Sequence, residues 1–168
     1  MAVKDKVVVN NQITDDIIDV DLSVIKKKKI RINGDDTKIL ELNISDMGIV
    51  SRLNATYPKL MALQDKVSTF GDIDDNMDDQ EAMSIAAMQL TEIDGEMRKL
   101  LDELFQSNVS EVCGSDGSMY DPIDGTFRYE HIITALIKLY ETNIEEEFKR
   151  MKARIEKHTA KYAKPRKR

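Results

Sequence analysis

A chain of 168 residues and 19.2 kDa has room for one domain, or for one small domain with appendages. Its net charge of −6 and pI near 5.0 argue against wholesale nucleic-acid binding, because phosphate backbones select basic surfaces. Cys113 stands alone, which excludes an internal disulfide and points to a reducing compartment. The hydrophobic fraction of 41% supports a real core, yet aromatics make up only 5% and Trp is absent. Nine Met, with many Leu and Ile, must therefore fill that core, and Met packs adaptably. The opening Met-Ala-Val-Lys-Asp-Lys leads into only three valines before Asn10 and Asn11, too short a run for a signal sequence. No apolar run approaches the roughly 20 residues of a membrane span, so a soluble cytoplasmic protein is expected.

Residues 1–45 read as a β-rich N-terminal segment. Ile18, Val20, Leu22 and Val24 alternate with Asp19, Asp21 and Ser23, a period of two that implies one buried face. Lys26 to Lys29 follow; lysines at a strand end more often protect an edge than hold an anion. Ile30 and Ile32 then lead into Asn33-Gly34, whose tolerance of positive φ predicts an antiparallel hairpin from about Lys28 to Ile44.

From Ser45 the period lengthens, and a helical domain is expected over 46–156 with a linker at about 70–77. Ser45 or Asp46 can cap the first helix, on which Val50, Leu53, Tyr57, Leu60, Leu63 and Val67 recur at helical spacing. Pro58 should kink or split it near Thr56. A break is expected at Phe70 to Asp75, in a run of acidic residues that repel one another. The next helix spans about Met77 to Gln106, with Leu90, Ile93, Met97, Leu100, Leu101, Leu104 and Phe105 as its stripe. A Ser/Gly/Asp-rich connector occupies Ser107 to Gly125, with Asp124-Gly125 as a turn before a helix. The last helix starts near Phe127 and carries Ile133, Leu136, Ile137, Tyr140, Ile144, Phe148, Met151 and Ile155. Residues 157–168 form a basic tail whose bland reading is a solvated counterweight to the acidic linker. The fold class is thus α+β and mostly α: a small N-terminal antiparallel hairpin or sheet, then three to four amphipathic helices.

Motifs that would carry chemistry fail on spacing. Asp72, Asp74, Asn76 and Asp78 fit positions 1, 3, 5 and 7 of a calcium loop, but Met77 and Met83 replace its Gly and its bidentate Glu. Cys113, His131 and His158 match no zinc spacing, and a cysteine beside Gly114 reads as structural rather than as a nucleophile. The seven glycines form no phosphate-binding loop. No catalytic, metal or cofactor site is expected, and the chain reads as a non-enzyme. Candidate partner-binding residues are Leu101, Leu104, Phe105, Leu136, Tyr140, Ile144 and Met151, with core the ordinary role for most residues so spaced.

These parts together resemble the tail assembly chaperones of long-tailed, siphovirus-like bacteriophages, especially those of Gram-positive hosts. The strand pair of that family resembles Ile30-Arg31-Ile32-Asn33-Gly34 and Lys38 to Ile44, and a following helix resembles Val50-Ser51-Arg52-Leu53. An acidic helix ending in a Leu-Phe pair corresponds to Asp102-Glu103-Leu104-Phe105, a small-residue connector to Ser107 to Gly114, and a final helix to Arg128 to Tyr140. The resemblance covers roughly Lys28 to Arg168 at the level of pattern. It implies a non-catalytic factor of the host-cell cytoplasm that coats the tape measure protein and recruits tail tube subunits. It also leaves room for a homo-oligomer. The competing readings are a virion structural component, such as a tail accessory or head–tail connector protein, and a phage inhibitor of a host enzyme.

Overall fold

The computed structural model describes residues 20–22, 27–69 and 76–162, with backbone alone at 161 and 162. Strands β1 (Lys28–Ile32) and β2 (Asp35–Leu42) form an antiparallel pair in which Ile30 faces Leu40 and Lys28 faces Leu42. Asn33 and Gly34 join them with φ of 52° and 74°, the doubly left-handed turn that matches strand twist. Alternation then buries Leu40 and Leu42 completely while Lys29 and Glu41 pair outside at 3.7 Å. The earlier alternating run departs from expectation where it can be seen. Residues 20–22 form no strand, and Val20 and Leu22 are exposed. Ile18 and Val24 lie outside the described residues.

Helix α1 (Gly48–Ser68) starts where the period changes. The Asp46 carboxylate accepts the Gly48 amide at 2.8 Å and the Arg52 guanidinium at 2.8 Å, and those bonds, the amide first, hold it below the usual carboxylate range. The buried face is Ile49, Thr56, Leu60 and Leu63 with Leu53 and Val67 packed beside it. That is one residue, or about 100°, from the expected frame at its start, so Val50 and Tyr57 stand in solvent. Nor does Pro58 split the helix. It and Asn54, whose carbonyl loses its partner, both lie on the exposed face, where water can satisfy the freed group.

Helix α2 (Asp79–Phe105) is the spine of the molecule. Before it, Thr69 and residues 76–78 are non-helical, and the expected break at Phe70 to Asp75 lies outside the described residues. Its first half is solvent-exposed, with Leu90 at the surface rather than in the stripe, and burial begins at Ile93. It ends at Gln106, left-handed at φ 51°, whose amide and that of Ser107 both bond to the Asp102 carbonyl.

The connector is folded structure. Helix α3 (Val109–Gly114) begins where the Asp102 carboxylate accepts both the amide and the hydroxyl of Ser110 at 2.7 Å. Strands β3 (Pro122–Ile123) and β4 (Thr126–Phe127) then make a second hairpin about Asp124 and Gly125, with φ of 49° and 80°. Helix α4 (Arg128–Tyr162) follows at once, 35 residues in a single run.

One polar cluster fixes this connector to α2. Asp94 Oδ1 accepts the Met119 amide at 2.6 Å and the Ser118 hydroxyl at 2.8 Å, while Oδ2 accepts Arg98 Nε at 2.6 Å. Arg98 in turn donates to the carbonyls of Ser110, Gly114 and Gly117 at 3.2, 3.0 and 2.5 Å. A Cβ at Gly114 would run into Met119 Cε, which is why the smallest residue stands there. Held this way, Val109, Met119, Tyr120 and Tyr129 join Leu40, Leu42, Leu60, Met97, Leu101, Leu104, Phe105 and Tyr140 in one core. Tyr120, Phe127 and Tyr129 pack ring on ring, with centroids 5.4–6.0 Å apart.

Two consequences can be measured. Leu101 is 1% exposed at the centre of this core, so Leu101→Ala should cost about 2–5 kcal/mol in urea unfolding with an unchanged denaturant slope. Burial tends to raise the Asp94 pKa, but the bonds from Arg98, Met119 and Ser118 outweigh it and hold the carboxyl below 3.8. Its contribution to stability is therefore complete above the unfolded value and lost as pH falls through the lowered folded one. Asp94→Asn should melt well below wild type at neutral pH, and the gap should narrow below about pH 4. A gap that stays constant down to pH 2 would show that the charge of Asp94 contributes nothing to it.

Candidate functional site

The seven sequence-nominated residues divide between the interior and the surface. Leu101, Leu104 and Phe105 on α2 and Leu136 and Tyr140 on α4 are all buried, between 1% and 5% exposed, and belong to the core. The Phe105 and Tyr140 rings lie 6.2 Å apart, and burial pushes the Tyr140 phenol up. Ile144 is half-buried at the edge of that core. Met151 alone is exposed, at 55%.

The structure adds neighbours to Met151 that the nomination left out. Along α4 the apolar positions 133, 137, 140, 144, 148, 151 and 155 recur at steps of four and three. Up to Tyr140 this stripe packs into the core beside α2, and Asn143 anchors it to the segment after β2 by donating to the Ile44 carbonyl at 3.2 Å and the Ser45 hydroxyl at 3.0 Å. Past Ile144 the same stripe continues with nothing over it among the described residues. Phe148, Met151 and Ile155 are 54%, 55% and 60% exposed, and residues 148–160 are exposed on every side. Single apolar residues on a surface are ordinary, whereas a contiguous stripe in register with a packed one marks a contact site. Where it leaves the body it borders a shallow cleft of about 130 Å³ lined by Ser45, Met47, Ile144, Glu147, Phe148 and Met151.

Phe148 and Ile155 belong to the same periodic pattern as Leu136 and Tyr140, so sequence carried the signal. What separates core from surface along that pattern is how far the body, α2 above all, reaches along α4, a tertiary fact. Charge marks the change independently. Glu141, Glu145, Glu146 and Glu147 precede the exposed segment, and Lys149, Arg150, Lys152, Arg154 and Lys157 occupy it.

The residues weighed for chemistry are placed apart. Cys113 is half-buried on α3, where burial pushes its thiol up and away from the reactive thiolate. The His131 ring lies at the surface, its Nε2 donating to the Ile123 carbonyl at 2.9 Å and sitting 2.8 Å from the Thr126 hydroxyl. Among the described residues, no three or more His, Cys, Asp or Glu side chains converge in a way that would hold a metal ion. Among them, too, no helix is long and apolar enough to cross a membrane. Asp72 and Asp74 of the calcium-like frame lie outside the described residues.

No family model, no curated protein and no solved structure matches the chain.

Proposed function

We propose that this chain is a non-catalytic phage tail assembly chaperone, binding the tape measure protein and aiding assembly of the tail tube. The observation that carries the reading is the exposed stripe Phe148, Met151 and Ile155, which prolongs the packed face of α4 beyond the body. Such a stripe can lay itself along an apolar helix of a partner, and the flexible thioether of Met151 suits partners of varied shape. The sequence pattern from the Asn33-Gly34 hairpin to the final helix supports the same reading. The acidic body keeps a complex with an aggregation-prone partner in solution. A virion structural component is the second reading, favoured by β1: one edge pairs with β2, and among the described residues no strand pairs with the other, which could take a strand of a neighbour.

Co-expression with the tape measure protein, followed by pull-down, tests the proposal. Wild type should co-purify with that protein and raise its soluble fraction. Met151→Glu should abolish capture while circular dichroism and melting temperature stay nearly unchanged, because residue 151 contributes little to the fold. A wild type that neither captures nor solubilises the tape measure protein would sink the chaperone reading. Finding the chain at fixed copy number in purified virions would establish the structural one.

A further inference from the structure

We infer that the distal part of α4, residues 144–160, pairs antiparallel with the same segment of a second copy of this chain. Three observations converge on it. The first is spacing: Ile144, Phe148, Met151 and Ile155 follow the four-three-four rhythm of a coiled-coil seam. The second is exposure, since Phe148, Met151 and Ile155 lie open on a segment that, among the described residues, no other element covers. A helical stretch of this length, about 22 Å from 148 to 162, gains little stability in water without a packed face.

The third observation is charge, and it selects both the occupant and the direction. The segment is acidic at its root and basic toward its tip. In an antiparallel pair Phe148 packs on the partner's Met151, and Ile144 on the partner's Ile155. That places the partner's Ile155 at the cleft between Met47, Ile144 and Phe148. The flanking positions then bring Glu145 beside the partner's Lys152 and Glu147 beside the partner's Arg154, each contact occurring twice by symmetry. Glu147 already meets Arg150 of its own helix at 2.7 Å, so it would be shared between two guanidinium groups. A parallel pair would keep only Glu147 beside the partner's Lys152, leaving Glu145 and Arg154 without an oppositely charged neighbour across the seam. A second copy carries the complementary pattern by construction, and this is the ground for choosing it over an unrelated partner. The seam uses the same stripe as the proposed partner site but does not depend on that reading, because it requires only the purified chain.

Sedimentation of the full chain from low micromolar to near-millimolar concentration should show a monomer–dimer equilibrium that weakens as salt rises. E145K/E147K and K152E/R154E should each self-associate at least about tenfold more weakly, since four attractive contacts become repulsive. An equimolar mixture of the two should recover dimer, because every flanking pair is then of opposite sign. Direction is read by disulfide trapping in a Cys113→Ser background. Ile144→Cys and Ile155→Cys chains, mixed, should cross-link to each other and not to themselves. A wild type that stays monomeric throughout, or charge-reversed variants that dimerise as well as wild type, would overturn the proposal. Trapping of Ile155→Cys with itself alone would overturn the antiparallel arrangement.

Discussion

The ion pair of Asp94 with Arg98 is what the rest of the molecule is arranged around. It sits one turn apart on α2, mostly buried, with side chains 17% and 29% exposed. Alone it would be a modest helix pair of a few tenths of a kcal/mol. Its weight comes from what else it holds: two donors from Ser118 and Met119 on the carboxylate, three carbonyls of the connector on the guanidinium. The short helix α3 and the turn after it leave carbonyls that no ladder satisfies, and here Arg98 takes three of them. The planar fork of Arg suits that task in a way a Lys ammonium would not. With the connector fixed, Met119 and Tyr120 enter the core and the hairpin β3–β4 launches α4 at a set angle.

Two further arginines repeat the device at the joints. Arg52 bridges the Asp46 carboxylate at the start of α1 and the Leu104 carbonyl at the end of α2, both at 2.8 Å. Arg128, at the first residue of α4, meets Asp116 at 2.8 Å and Asp121 at 2.9 Å. Each links one element's terminus to another's backbone or side chains. The acidic excess of the chain is thus partly spent on positioning, and much of the remainder lies along exposed helix faces.

The sequence conveyed those parts of the fold that depend on local chemistry. Asn33-Gly34 and Asp124-Gly125 both adopt the positive φ that their residue types allow, and Asp46 takes the first amide of α1 from one residue before its N-cap, Met47. It conveyed less where tertiary packing decides. The α1 face begins at Ile49 rather than Val50, a choice made by what β2 and α2 offer opposite, since both positions are apolar. Pro58 argues for a break only if its side of the helix is dry, and that side is wet. The connector read as loop because small polar residues dominate it, whereas Asp94 and Arg98, twelve to twenty-five residues away, supply the order. The exposed stripe of α4 was half legible: the spacing was plain from Ile133 to Ile155, but where the core ends along it depends on the reach of the other elements. The expected β-run near Val20 had alternation and nothing beside it to pair with among the described residues.

The same arginine-centred joints also order the steps by which the chain can close on itself. Contacts of Asp94 and Arg98 with the connector span 12 to 25 residues, and those of Asp102 with Ser110 span 8. The Ser107 hydroxyl reaches the Glu41 carbonyl across 66 residues, and Asn143 reaches Ile44 across 99. Since closure entropy grows with the logarithm of loop length, the longest of these costs about 1 kcal/mol more than the 25-residue closure. Docking α2 on its connector first shortens every later loop, because the connector then brings the root of α4 back toward β2. The closures around α2 are therefore the short ones, and the contacts across 66 and 99 residues fasten β2 and the residues after it to the connector and to α4.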